Sequence, residues 1–216
     1  MKIGVFGTGT VGSTIATKLV AVGHDVKMGS RTAGNEKAVT WTNAAGARAT
    51  QGTYADAARF GELLFNCTAG AGSVPALQAA GAENLAGKIL VDVSNPLDFS
   101  KGMPPSLTVC NTDSLAEQIQ RAFPELKVVK ALNTMTASLM VNPAQLAGEH
   151  DAFICGNDAA AKGRVTELLK GSFGWKNVVD LGDLTAARGQ EMYLIFWVRL
   201  YGALKSPTFN IRVVTT

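Results

Sequence analysis

The sequence predicts an α/β protein: an open parallel sheet with helices on both faces and a small helical appendage at the C-terminus. Three observations carry this expectation. The first third of the chain alternates short β-rich apolar runs with longer stretches of helical period, the pattern of βαβ units. The first apolar run ends in GTGTVG, residues 7–12, a glycine-rich turn placed where a strand hands over to a helix. Of the 216 residues, 47% are hydrophobic, enough to bury a core in one domain or two small ones.

In order, residues 2–6 read as a strand and 11–22 as a helix closed by Gly23, which suits the left-handed conformation that ends helices. Residues 25–28 then form the second strand of a compact βαβ unit. Further along, 53–60 reads as a helix, 63–67 as a strand, 74–80 as a helix and 89–93 as a strand. Ser114 and Glu117 have capping-box spacing ahead of a helix reaching about Phe123, and 127–132 is another strand. Beyond residue 133 the pattern loosens, yet 152–155 reads as a strand and 158–169 as a helix capped by Asp158. The sheet continues to Val179. The last element, from Thr185 to Leu204, carries Tyr193, Phe196, Trp197 and Tyr201 at helical spacings. The expected division is therefore a body over residues 1–180 and a C-terminal helix and tail over 181–216.

Composition excludes several classes. Twenty basic against seventeen acidic residues give a formal charge of +3, scattered along the chain, so no nucleic-acid partner is implied. Cys67, Cys110 and Cys155 are three widely spaced cysteines with no CxxC pair, which speaks against a disulfide framework or a zinc ribbon and suits a reducing cytoplasm. The chain opens on MKIGVFGTG with no secretory pattern. Its longest strongly apolar run, residues 192–198, falls well short of the roughly 20 residues a membrane helix requires. A cytoplasmic protein with no membrane and no metal is the expectation.

Each glycine of GTGTVG has a physical task. Gly7 makes the tight turn, Gly9 lets the backbone approach a pyrophosphate, and Gly12 lets the helix pack closely on the sheet. A pyrophosphate would then meet free N–H groups at a helix N-terminus, where the dipole favours an anion. With 23 glycines in 216 residues, three at this spacing arise by chance with probability about 0.25, so the bare pattern is weak; its place at the first strand-to-helix junction makes it specific.

At the end of the second strand a carboxylate would bind the ribose of NAD. The residues here are Gly29, Ser30, Arg31 and Thr32. A guanidinium flanked by hydroxyls suits a 2′-phosphate, so NADP is favoured over NAD, with Lys37 as a second positive charge unless it is an ordinary solvated lysine. Asp25 lies at the wrong end of its strand to substitute. Ligands in open parallel sheets bind beyond the carboxyl ends of the strands, which brings in Thr68, Ala69 and Gly70, then Ser94, Asn95 and Pro96, then Asn133, Thr134 and Met135. Each of these reads equally well as an ordinary loop residue.

Other chemistries are missing. There is no GxxxxGK[ST], HExxH or GxSxG motif. His24 precedes the second strand, away from the crevice, and His150 lies in a polar stretch; Asp92 falls inside a strand and reads as a hydrogen-bonded structural carboxylate. No residue is assigned as catalytic. Hydride transfer between two organic cofactors fits that absence, because it needs orientation and exclusion of water more than an acid or base. Oxidising an alcohol would need a positioned proton acceptor.

GTGTVG, the GSR of residues 29–31, VVKALNTM at 128–135, CGND at 155–158 and LGDLTAARGQE ending at Glu191 together resemble the coenzyme F420-dependent NADP oxidoreductase family. The resemblance runs from Met1 to about Leu204. ALNT-like and LGDL-like stretches recur in the NADPH-binding domain of the STEAP metalloreductases. The resemblance implies a Rossmann domain, NADP held by the residues matching Thr8, Gly9, Thr10 and Val11 and by Ser30 and Arg31, and a deazaflavin stacked on the nicotinamide. Homodimers are usual in that family. The archaeal members carry histidine where this chain has Asn133, so FMN or FAD stands beside coenzyme F420 as acceptor. The acceptor is expected against Asn133, Thr134, Met135 and Thr136 and the aromatic C-terminal helix, whose aromatic face is otherwise a core or dimer stripe. A non-catalytic NADP(H)-binding sensor is the alternative. A 3-hydroxyacid or imine reductase is disfavoured, since only about 80 residues follow Leu132, too few for their large helical domain.

Overall fold

The computed structural model describes residues 1–216. In chain order the elements are β1 (Lys2–Phe6), α1 (Thr10–Ala21), β2 (Asp25–Ser30), α2 (Glu36–Ala45), β3 (Ala49–Thr53), α3 (Tyr54–Phe60), β4 (Leu63–Asn66) and α4 (Gly70–Ala80). They continue with α5 (Ala82–Leu85), β5 (Ile89–Asp92), the hairpin β6 (Leu97–Asp98) and β7 (Ser106–Leu107), α6 (Leu115–Ala122), β8 (Lys127–Ala131) and α7 (Ala137–Val141). β9 (Asp151–Gly156), α8 (Ala159–Leu168), β10 (Asn177–Asp180) and α9 (Ala187–Leu204) complete the chain.

Eight strands form one sheet in the order β10-β9-β8-β5-β4-β1-β2-β3. From β3 to β8 every pairing is parallel, which is the doubly wound order of a Rossmann domain. The order reverses beside β1, between β2 and β4, and that switch point is where the crevice opens. The sheet is the expected open one and parallel but for a single pairing at its end: β9 runs antiparallel to β8, and β10 runs parallel to β9. The reason is the connection over residues 132–150, whose short α7 and 3-10 turn at Pro143–Gln145 make no crossover back to the starting edge.

Strand alternation divides the core in two. Ile3 and Val5 of β1, Phe65 of β4, Val91 of β5 and Val129 of β8 face one cluster of 29 residues with Ile15 and Leu19 of α1. Phe6, Leu64, Leu90 and Val128, their neighbours in sequence, face a second cluster of 17 with Leu77 of α4 and Leu115 and Ile119 of α6.

Two sheet-side elements escaped the sequence reading. α2 buries only Ala38 and Trp41, so its apolar period is weak, although Asn35 caps it by accepting from the N–H groups of Lys37 and Ala38. β3, ATQGT, is an edge strand with a glycine inside it. α4 begins at Gly70 and not at 74, its opening turns masked by Gly72 and Pro75. β2 extends two residues beyond the expected end, to Ser30.

The first half of α9 packs on the body through Ala187, Gln190, Glu191 and Leu194. Its second half leaves Phe196, Tyr201 and Leu204 exposed, while Trp197 stacks on Tyr201 and on Phe209 of the tail. No helix is long and apolar enough to cross a membrane.

Candidate functional site

The carboxyl ends of β1, β2 and β4 open onto a cleft of about 700 Å³ whose walls include Gly7, Thr8, Gly9, Arg31, Tyr54 and Thr68. A smaller cavity of about 260 Å³ shares the wall formed by residues 67–69 and Ala71, and reaches Val11, Val93, Asn95, Leu97 and Phe99. The larger space carries Arg31 and Tyr54 on its wall; the smaller is mostly apolar.

The three fingerprint glycines separate by what surrounds them. Gly7 has φ +111°, and a Cβ there would lie 2.7 Å from the Cys67 carbonyl oxygen; one on Gly12 would lie 2.1 Å from the Gly7 carbonyl oxygen. Both positions therefore exclude a side chain on packing grounds. A Cβ on Gly9 meets nothing within 4 Å. Gly9 is the N-cap residue of α1 and contributes no capping side chain, and the first backbone bond across it runs from the Ser13 N–H to the Gly9 carbonyl. The opening N–H groups of α1 thus have no intrahelical partner and no capping side chain, and the space over Gly9 is open.

At the end of β2, Ser30 is buried and its hydroxyl donates to the Thr32 carbonyl at 2.6 Å, so its proton is engaged within the loop. Arg31 is exposed and lines the cleft; Thr32 and Lys37 are exposed and outside its walls. Tyr54, the first residue of α3, was not singled out from sequence. It lines the same cleft as Arg31, edge-on to Phe6 at 5.7 Å, and burial raises its hydroxyl pKa while the Arg31 charge opposes that rise. Its only sequence signal was its place directly after a strand too polar to recognise.

Of the other expected residues, Ala69 lines both cavities and Thr10 stands exposed at the head of α1. Gly70 opens α4 so close to Asn95 that a Cβ would lie 2.2 Å from the Asn95 carbonyl oxygen. Pro96 is buried behind that turn. Asn133, Thr134 and Met135 are buried, Met135 within the larger core cluster; Thr136 is partly exposed as the N-cap residue of α7. Asn133 Nδ2 donates to Asn95 Oδ1 at 2.9 Å and to the Gln190 carbonyl at 3.0 Å, and Asn95 Nδ2 returns a bond to the Asn133 carbonyl at 3.0 Å. Leu132, with φ +63°, makes the turn that aims Asn133 this way, a conformation that costs a bulky residue strain. Asn133 Oδ1 has no partner.

Behind the cleft lies a charged cluster that sequence reading missed, apart from the structural role given to Asp92. Lys130 is fully buried, with Nζ 2.8 Å from Asp92 Oδ2 and 2.8 Å from Glu191 Oε1, and it donates to the Ser94 carbonyl at 2.5 Å. Burial opposes its charge, but the two carboxylates outweigh burial and hold the ammonium above the usual lysine pKa. Asp92 Oδ1 accepts from Asn66 Nδ2 at 2.8 Å and from the Ser94 hydroxyl at 2.7 Å, and Asn66 Oδ1 accepts from the Thr68 hydroxyl at 2.7 Å. Glu191 accepts from the N–H groups of Leu115 and Ala116, closing the N-terminus of α6. No pattern within one segment marks these residues, because they come from β4, β5, β8 and α9.

Comparison with known proteins places this geometry. Residues 2–96 match the family described as NADP oxidoreductase, coenzyme F420-dependent. A crystal structure from Arthrobacter sp. FB24, whose description as an F420-dependent NADP-reductase is itself an inferred assignment, is 54% identical, covers 100% of both chains and superposes with a TM-score of 0.94. The metalloreductase STEAP3 of Rattus norvegicus is 32% identical over 210 residues, which are 96% of this chain but 38% of that protein. A reductive aminase from Aspergillus terreus in complex with NADPH, 21% identical with a TM-score of 0.68 over 94% of this chain and 62% of its own, shares the fold alone. With the Arthrobacter structure matched over the whole length of both chains at 54% identity, the chain belongs to the coenzyme F420-dependent NADP oxidoreductase family.

Proposed function

We propose that the chain binds NADP(H) along the cleft and exchanges hydride between the nicotinamide and a planar organic acceptor, coenzyme F420 or a flavin such as FMN or FAD. One observation carries the reading: an uncapped helix N-terminus opens beneath Gly9, with Arg31 on the wall of the same cleft, at the strand end where an NAD enzyme would carry a carboxylate. The N–H groups of α1 bind the pyrophosphate, and Arg31 and Tyr54 hold the 2′-phosphate end. Thr68, Ala69 and the turn at Asn95 wall the nicotinamide end. The nicotinamide supplies or receives the hydride when bound. The apolar side chains of Val11, Val93, Leu97 and Phe99 exclude water from that end. Asn133, Thr134, Met135 and Thr136 lie behind it, with Asn133 orienting and not transferring protons, since a neutral amide does not titrate near pH 7.

An organic acceptor agrees with the apolar walls. The test is NADPH oxidation with F420, FMN, FAD and ferric chelates, the last because the rat relative is a metalloreductase. Oxidation with F420 or a flavin above the chelate rate supports the reading. Tight NADPH binding with no oxidation by any acceptor favours a sensor, since fold and cofactor do not by themselves establish turnover. Residues 181–216 as a pocket-completing segment, a homodimer covering Phe196, Tyr201 and Leu204, and a cytoplasmic setting belong to the same proposal; sedimentation of the purified chain checks the dimer.

A further inference from the structure

The buried Lys130 cluster joins three parts of the molecule that the sequence keeps far apart. Its Nζ reaches Asp92 and the Ser94 carbonyl on the turn after β5, and Glu191 on α9. Asp92 continues through Asn66 to the Thr68 hydroxyl, which lines both cavities, and Ser94 stands next to Asn95 in the wall of the smaller one. The Lys130, Asp92, Glu191 and Asn66 side chains are wholly or almost wholly buried and line neither cavity; only Thr68 and Ser94, at the ends of the two branches, reach a cavity wall. Two carboxylates for one ammonium is more negative charge than the cluster balances alone; the excess sits on the Leu115 and Ala116 N–H groups at the start of α6. Glu191 is thus held in two ways, by the sheet through Lys130 and by α6.

We infer that Lys130 and Glu191 are positioning residues that couple the seating of α9 to the wall of the nicotinamide-end cavity, through Ser94 on one branch and Asp92, Asn66 and Thr68 on the other. The inference rests on the NADP(H) reading above. Its physical content is that a lysine drawing in a main-chain carbonyl fixes the backbone of a turn, and a turn so fixed positions a bound ring without contacting it. A purely structural role would instead weaken every part of the cleft together. A second tie between the same helices, Arg188 on α9 paired with Glu117 on α6, does not enter the network.

The test is Glu191→Gln, which leaves Lys130 paired with Asp92 alone and keeps one oxygen, enough for one of the two α6 N–H groups. Affinity is measured for NADPH and for adenosine 2′,5′-bisphosphate, which carries the 2′-phosphate but no nicotinamide, together with kcat for NADPH oxidation. Expected are about a tenfold weaker NADPH affinity and a lower kcat, with adenosine bisphosphate bound as in the wild type. Arg188→Ala, which loosens α9 without touching the network, should leave the ratio of the two affinities at its wild-type value. Equal loss of both ligands in Glu191→Gln, by misfolding or otherwise, overturns the inference, as does an unchanged NADPH affinity and kcat. A change of the ratio in Arg188→Ala equal to that in Glu191→Gln also overturns it. Wild-type protein that binds neither ligand defeats the NADP(H) reading itself, and the inference with it.

Discussion

The Cα hydrogen of Gly12 points at the carbonyl oxygen of Gly7 so closely that a Cβ in its place would sit 2.1 Å away, whereas a Cβ on Gly9, between them, would touch nothing within 4 Å. The two outer glycines are held by the protein's own packing and the middle one only by what the cleft receives. Gly9→Val should therefore melt like the wild type but bind NADPH too weakly to measure by calorimetric titration, because the side chain fills the pyrophosphate's place. Gly12→Val should melt lower or fail to fold. Wild-type NADPH binding by Gly9→Val would reduce GTGTVG to a structural turn.

Arg31 is the only cation on the cleft wall, since Lys37 stands outside it and the Ser30 hydroxyl donates to Thr32. The 2′-phosphate preference should thus reside largely in one side chain. Arg31→Ala should lose about 1.5–3 kcal/mol of NADPH binding, one to two decades in affinity, with NADH little changed. Titrations of both dinucleotides against both proteins decide this. Equal wild-type affinity for NADPH and NADH would remove the argument.

Asn133 serves two purposes at once. Removing its amide in Asn133→Ala leaves Asn95 Oδ1 and the Gln190 carbonyl without a buried donor, at a cost of about 1–3 kcal/mol. For a chain of this size that is roughly 2–4 °C of melting temperature per kcal/mol. Turnover with F420 or flavin should fall as well, without a new pH dependence, and adenosine bisphosphate should bind as before. A variant that turns over at the wild-type rate with every acceptor would move the acceptor site elsewhere.

What the sequence disclosed follows from the range of the forces involved. GTGTVG and its flanking strand and helix are a local pattern, and Ser114 and Asp158 cap the helices expected of them, so these were legible residue by residue. α2 and β3 were not, because an edge strand and a polar helix bury too few side chains to show a period. The reversal of β9 depends on where a long connection ends, which no window of sequence contains. Lys130 and Glu191 lie 61 positions apart and meet only after α9 folds back on the sheet. Asn133 was found by its place at a strand end, but its burial and its bond to α9 depend on the same folding back.

Of the two ion pairs at α6, the one from Glu117 to Arg188 makes acid stability a readout of how α9 is held. The hydrogen-bonded Arg121 guanidinium holds the Asp113 carboxyl down to about 2, and the paired Arg188 guanidinium holds Glu117 below the usual glutamate value. In the unfolded chain these groups titrate near their ordinary values, about 3.9 and 4.3. Their contribution is therefore complete at neutral pH, declines once pH falls below those values and is lost as the folded carboxyls protonate. Arg121 is 61% exposed, so solvent and salt screen its pair; the Glu117 side chain is only 12% exposed, and its two bonds to Arg188 at 2.6 and 2.9 Å bridge α6 to α9. Glu117→Gln should accordingly be less stable than the wild type at pH 7, with the difference shrinking from about pH 4 downward. Asp113→Asn should show a smaller difference at pH 7 that fades in high salt and, by the same linkage, closes only toward pH 2. Urea unfolding followed by circular dichroism at several pH values measures both, and a gap for Glu117→Gln that stayed constant from neutral pH to about pH 2 would show that its bond to Arg188 adds nothing to the hold on α9.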